Sequence, residues 1–255
     1  MLKMYLVKKL FILSLFSLVL VACSTVRYSS SGDAEPLLQQ PLSENSKILI
    51  VSAVNDNFIL HQNLSFNDYH LGVSNLDQVI SNAVAAQVSQ NKPYQVVIKP
   101  WPFGQLSEVE SGGSKFGRAF TSGLSQSLVP GSISLKPEVI SQLQSLNSNY
   151  HADYFLLITG NGFLTCPDLG RKVSPLSISL QMYLIDAKTN RVLTWHSAYG
   201  EESKPYSTED NTALCQEISA NQENTPRKLF LKQWMVTEAP RLAQDATQAL
   251  FASEK

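Results

Sequence analysis

Apolar residues along this chain recur with two different periods, and the switches between them divide it into elements. Lys47 to Val54 (KILIVSAV) is nearly continuous in apolar side chains, the pattern of a strand covered on both faces. Beyond a long connection, Leu76, Val79, Ile80, Ala83, Val84 and Val88 return at helical spacing and predict a helix over 75–89 with one face on a sheet. Ser74-Asn75-Leu76-Asp77 supplies a capping pattern with an acid near the positive end of its dipole. Asn91-Lys92-Pro93 stops that helix. Tyr94 to Lys99 (YQVVIK) predicts a second strand, ended by Pro100 and Pro102, and the order strand, helix, strand implies a parallel pair.

Between 101 and 135 the pattern conflicts with itself. Phe116, Phe120, Leu124 and Leu128 form a helical stripe, while Gly112, Gly113, Gly117 and Gly123 oppose a helix, so a loose helix or ordered loop is expected. Pro137 to Asn147 predicts a helix with Pro137 in its first turn and Val139, Ile140, Leu143 and Leu146 on its apolar face. Asp153 to Gly160 predicts another buried strand. Leu176, Ile178, Leu180, Met182 and Leu184 then alternate with Ser177, Ser179, Gln181 and Tyr183, the pattern of a half-buried antiparallel strand.

Asp186 to Asn190 turns the chain and Arg191 to Tyr199 returns as the hairpin partner. A last helix is expected from Thr225-Pro226 toward Ala252, with a break at Pro240 and Leu229, Trp234, Val236, Leu242, Ala246, Ala249 and Leu250 in its core face. The fold class is therefore α/β: a mixed sheet of about five strands with three helices packed on it, in the order β-α-β-α-β-β-β-α.

The amino terminus carries a different signal. Lys3, Lys8 and Lys9 precede a charge-free apolar run from Leu10 to Leu20, too short for an ordinary spanning helix and built like an export leader. The run ends in Leu20-Val21-Ala22-Cys23, which resembles the lipobox of bacterial lipoproteins. That resemblance implies removal of residues 1–22, acylation of the Cys23 thiol and, with Ser24 rather than Asp following, an outer-membrane address with the domain in the periplasm. Residues 23–46, rich in Ser with Gly32, Pro36 and Pro41, read as a lipidated flexible tether, leaving 47–255 as a single domain. As a coil the tether spans roughly 25 to 30 Å, and about 80 Å when pulled straight.

With Cys23 acylated, two thiols remain. In an oxidising compartment Cys166 and Cys215 most simply pair with each other, a bridge worth about 4 kcal/mol on the chain-entropy model; two free thiols or a metal site are the alternatives. The net charge is −1, and the leader takes three lysines with it, so no basic surplus recruits nucleic acid.

The middle of the chain carries a second resemblance. His151-Ala152-Asp153-Tyr154 followed by Phe155 to Gly160 is similar to a Gly-Ala-Asp-Tyr, apolar strand, Gly signature of several envelope domains. Asp186, Thr189, Val192, Leu193 and Trp195 resemble its companion hairpin, usually Asp-x-x-Thr-Gly-x-Val-Leu-Trp. Together they resemble the amino-terminal domain of the Tol translocation protein, the curli secretion lipoprotein and the lipoprotein activators of penicillin-binding proteins, over roughly 47–200. His151 and Asn190 stand where the signatures have Gly, and Thr194 is inserted before the Trp. The resemblance implies docking to other envelope proteins or self-assembly, including a homo-oligomer, as an analogy at the level of the fold.

Candidate chemistry is sparse. His61, His70, His151 and His196 are scattered with no zinc spacing, Gly123-Leu124-Ser125-Gln126-Ser127 lacks the closing glycine of a nucleophile elbow, and Gly112-Gly113-Ser114-Lys115 lacks the Walker spacing. Asp153 fits a carboxylate satisfying local backbone donors better than a catalytic acid. No cofactor, no metal site and no enzymatic activity are expected.

Two features suit binding. The connection 55–73 carries Phe58, Ile59, Leu60, Leu64, Phe66 and Tyr69 where a few residues would suffice, either as a partner-binding surface or as a lid or extra hairpin over the sheet edge. Trp101-Pro102-Phe103 is an aromatic anchor or a cap on the core. The leading expectation is a membrane-anchored lipoprotein that contacts an envelope protein through 55–73. An oligomeric secretion component using 101–135 is the second reading, and an envelope hydrolase built on converging histidines the third.

Overall fold

The computed structural model describes residues 38, 41–54, 57–62, 68–91, 93–103, 106, 133–164, 176–201, 213, 216–217 and 225–251. The elements are β1 (Lys47–Ser52), β2 (Asn57–Gln62), β3 (Asp68–Gly72), α1 (Leu76–Asn91), β4 (Gln95–Pro100), α2 (Pro137–Asn147), β5 (Tyr154–Leu164), β6 (Leu176–Asp186), β7 (Val192–Glu201) and α3 (Pro226–Phe251). The α/β class is as expected, and so are these three helices among the described residues. Among the described residues, no helix is long and apolar enough to cross a membrane.

The sheet is organised around β5. Along one edge β6 pairs with it antiparallel over its whole length, and β7 pairs antiparallel outside β6. The other edge is shared: β1 runs parallel to Tyr154–Ile158, and β2 runs parallel to Gly162–Leu164. Outside these lie β4, parallel to β1, and β3, antiparallel to β2. The sheet thus has seven strands, five abreast at either end. Five of the seven match the sequence expectation. The extra pair, β2 and β3, lies within the connection 55–73 and pairs as the extra hairpin that was one of the two expectations for it.

Strand alternation splits the interior into two cores. Ile48, Ile50, Leu156, Ile158, Leu180, Met182 and Leu184 face α1 and α3, meeting Leu76, Ile80, Val84 and Val88 of the first and Leu231, Met235, Leu242, Ala246 and Leu250 of the second. On the opposite face, Leu49, Val51, Phe155, Leu157, Tyr183, Ile185 and Trp195 pack with Val139 and Leu143 of α2. Each such fully buried aliphatic side chain is worth about 1.5–3 kcal/mol. Gly200 admits α3 to the sheet: a Cβ there would stand 2.8 Å from Leu242 Cδ1.

Four expectations change. Strand β6 is not half-buried, because α2 covers the second face where Tyr183 and Ile185 stand, both essentially inaccessible. Helix α3 does not break at Pro240. The proline removes the N–H that would reach the Val236 carbonyl, yet Ala239, Leu242 and Ala243 on either side are buried, and that packing outweighs the lost bond. Leu229 is no core residue, with 49% of its surface exposed, since the buried stripe of α3 runs through Lys228, Leu231 and Met235. Leu38 and Leu42, inside the stretch expected to be tether, are 7% and 5% exposed and belong to the first core, so packed chain begins ahead of β1.

Helix starts follow local chemistry. Pro137 opens α2, with Ile140 N–H donating to the Lys136 carbonyl at 3.2 Å. At α3, Thr225 caps the helix: its Oγ1 accepts from Lys228 N–H at 3.3 Å and donates to Glu217 Oε2 at 2.6 Å. Glu217 also holds Arg227 at 2.8 Å.

Candidate functional site

The two signature segments meet at one end of the sheet, where they serve the backbone. Asp153 Oδ2 accepts from the Lys47 N–H at 2.8 Å, while Asp153 N–H donates to the Lys47 carbonyl at 2.9 Å and its own carbonyl accepts from Ala187 N–H at 2.9 Å. One residue therefore ties the start of β1, the start of β5 and the turn after β6. The loop before it is clamped by Asn147, whose Oδ1 accepts from Ala152 N–H at 2.7 Å and whose Nδ2 donates to the Ala152 carbonyl at 3.1 Å. In the hairpin turn, Asp186 Oδ1 accepts from Lys188 N–H at 2.9 Å and from both Thr189 N–H and Oγ1, at 2.6 and 2.9 Å. Gln144 of α2 donates to the Ala187 carbonyl and to Asn190 Oδ1 at 2.6 and 2.7 Å, fastening helix to turn. Asp153 is thus occupied structurally, as the sequence reading expects.

Both glycine replacements sit where the signature's glycine has a physical reason. His151 has φ 50° and Asn190 φ 60°, the left-handed region that costs a side-chain-bearing residue about 1–2 kcal/mol. His151→Gly is therefore expected to raise stability by up to about 1 kcal/mol. Asn190→Gly should be close to neutral, because the relief is offset by loss of the Gln144 bond. Urea unfolding midpoints of the two variants check both, and destabilisation by His151→Gly would contradict the account. The inserted Thr194 is absorbed by a bulge: Leu184 faces Thr194 while Ile185 faces Val192, leaving Leu193 unpaired. That extra residue returns Val192 to the face it shares with Trp195.

The candidate binding positions divide. Phe58 pairs with Leu71 and Leu60 with Tyr69 on one face of the β2–β3 ladder, the face on which Leu71 is fully buried in the first core. Ile59 pairs with His70 and His61 with Asp68 on the other. Leu64 and Phe66 lie outside the described residues, as do Cys23, Cys166, Cys215, the leader and most of 101–135. Trp101 packs against the second core, edge-on to Phe103 with ring centroids 5.1 Å apart and planes at 74°, and Phe103 remains 40% exposed. Trp101 Nε1 is the single buried side-chain polar atom among the described residues without a hydrogen-bond partner. The histidines separate: His151 stands beside the start of β5, His196 is buried on β7, and His61 and His70 share the hairpin at β5's far end. Sequence spacing did not reveal this last juxtaposition, which the hairpin register creates.

No protein-family model and no curated protein sequence matches the chain. Among solved structures, a PelC dodecamer from Paraburkholderia phytofirmans is similar at 12% identity and TM-score 0.29, covering 76% of this chain and 94% of that one. The LpoB C-terminal domain from Salmonella enterica is similar at 16% identity and TM-score 0.30, with 64% and 87% covered. Lipoprotein GNA1162 from Neisseria meningitidis is similar at 14% identity and TM-score 0.30, with 71% and 98% covered. At these values nothing of those proteins' roles carries over to this chain.

Proposed function

We propose that this chain is an outer-membrane lipoprotein, anchored through acylated Cys23, whose periplasmic domain acts by contact with another envelope protein rather than by catalysis. The observation that carries the contact reading is the β2–β3 hairpin. It lengthens one end of the sheet and, among the described residues, leaves β3 as the strand that ends it. A terminal strand offers unpaired backbone donors and acceptors that an extended segment of a partner can extend into a further strand. The leader, the lipobox-like Leu20-Val21-Ala22-Cys23 and the Ser-rich stretch after it support the anchoring part. Asp153, the acid a hydrolytic reading would turn to first, is taken up by the backbone of β1.

A photo-crosslinking residue placed at Ile59 or Phe66, in cells making the full-length chain, should join it to one specific envelope protein. The same residue at exposed Glu138 of α2, on the opposite side of the sheet from α1 and α3, should not. Equal yields from both positions, or none from the hairpin, overturn the reading.

A further inference from the structure

We propose that the second face of the sheet, past the apolar rows that α2 covers, binds an uncharged glycan. On that face the rows Phe155–Ile185 and Leu157–Tyr183–Trp195 belong to the core that α2 closes. Strand alternation then puts Thr159, Gln181 and Ser197 in the next row, and Asn161, Ser179 and Tyr199 in the one after it. The chemistry changes at that step: these positions on three paired strands all carry hydroxyls or carboxamides, and none carries a formal charge. Thr159 is buried and the others are half-buried, so the two rows form a recessed floor rather than a projecting surface. With strands about 4.8 Å apart and rows about 6.7 Å apart, the floor measures roughly 10 by 7 Å.

The set selects its occupant. Each hydroxyl both donates and accepts, and each carboxamide does so through separate atoms, which matches the hydroxyl-covered rim of a sugar ring. An ion would leave water for a floor that has no opposite charge to offer it. A protein partner is anchored by several aromatic, Met or Arg side chains, and these two rows supply a single aromatic ring, Tyr199, opposite Ser179. One ring among hydroxyls and amides is instead a plate for the apolar side of a sugar. Gln181 is already fixed: the hydroxyl of buried Tyr183, one row beneath, donates to its Oε1 at 2.8 Å, so the amide is held by its carbonyl and its NH₂ is the group that meets a ligand. The carboxamides of Asn161 and Gln181 suit the acetamido groups of an N-acetylated glycan in particular. The floor lies on β5, β6 and β7 and not on the β3 edge, so glycan binding would stand whether or not that edge docks a partner.

The test is saturation-transfer NMR of the full-length protein, in a detergent without a sugar headgroup, with chitotetraose as the probe. Transfer to the ring and acetyl protons should be seen at millimolar probe. Asn161→Ala and Gln181→Ala should each weaken binding about fivefold, the worth of one hydrogen bond between neutral groups, and Tyr199→Ala should abolish transfer to the ring protons. Gln181→Glu keeps the length of the side chain and still accepts from Tyr183, so it serves if the alanine variants fail to fold; it replaces the NH₂ donor by a charge and should weaken binding at least as much. Glu138→Gln, at an exposed position on α2, should leave binding unchanged. No transfer from the parent chain, equal transfer in Gln181→Glu and Tyr199→Ala, or equal binding of an uncharged Gly-Ser peptide overturns the proposal.

Discussion

Replacing Cys23 by Ser is expected to abolish membrane retention: the chain should leave the membrane fraction or persist as a longer precursor still carrying residues 1–22. A hydroxyl cannot take the place of the thiol that the lipobox-like segment presents, so neither acylation nor the cleavage that follows it should occur. The size of the effect comes from chain burial. Each buried methylene contributes about 0.8 kcal/mol, a single acyl chain gives only reversible binding near about 10⁴ M⁻¹, and additional chains make attachment effectively permanent. Retention should therefore change from nearly complete to nearly none. Mass spectrometry of the mature amino terminus is the direct check. A bare Cys23 in the parent chain would remove the anchor and, with it, the reason to leave Cys166 and Cys215 as the remaining pair.

Phe155→Ala should be among the most damaging single substitutions in the described part of the chain, costing about 3–5 kcal/mol. Phe155 is fully buried in β5, between Leu49 of β1 and Ile185 of β6, in the core that α2 closes. Two sheet neighbours and a helix fix the walls, so the space left by the ring has little freedom to collapse. Against a total stability of about 5–15 kcal/mol, this should lower the melting temperature by roughly 10 °C or more. Leu229→Ala, by contrast, should stay within about 0.5 kcal/mol, because nearly half of that side chain already faces solvent. Denaturant midpoints with an unchanged slope would confirm both. A large loss for Leu229 and a small one for Phe155 would reverse the assignment of the core.

Much of the fold was legible because strong local signals coincide with strong burial. Continuous apolar strands at 47–54 and 153–160 became β1 and β5, and Pro137 and Thr225-Pro226 marked real helix starts. The hairpin turn was legible too, since Asp186 makes a local bond pattern that depends on its immediate neighbours alone. What misled was information that lies across the fold. Tyr183 alternates with Leu184 as a polar-face residue should, but α2 lies on that face. Leu229 fits a helical stripe as well as Leu231 does, and only the rotation of α3 against α1 and the sheet selects between them. Pro240 is a breaker by local rule and is overridden by buried neighbours.

The candidate site shows the same division. The lipobox-like segment on which the proposed anchor rests is local in the chain, so residues 1–23 support that proposal without any fold. The signature residues Asp153 and Asp186 were legible as a motif, but their work as joints appeared only once β1, β5 and the turn were brought together. The hairpin residues needed tertiary information most. Spacing along the chain left Phe58, Leu60 and Tyr69 undivided from Ile59.

Sequence alone determined the class of fold and the order of its main elements, because hydrophobic period and turn chemistry act over a few residues. Tertiary structure alone decided between the readings of the 55–73 connection, the two-sided burial of β6 and the outward place of Leu229. Each of these depends on register and on which neighbour covers a face, and those are set by contacts between residues far apart along the chain.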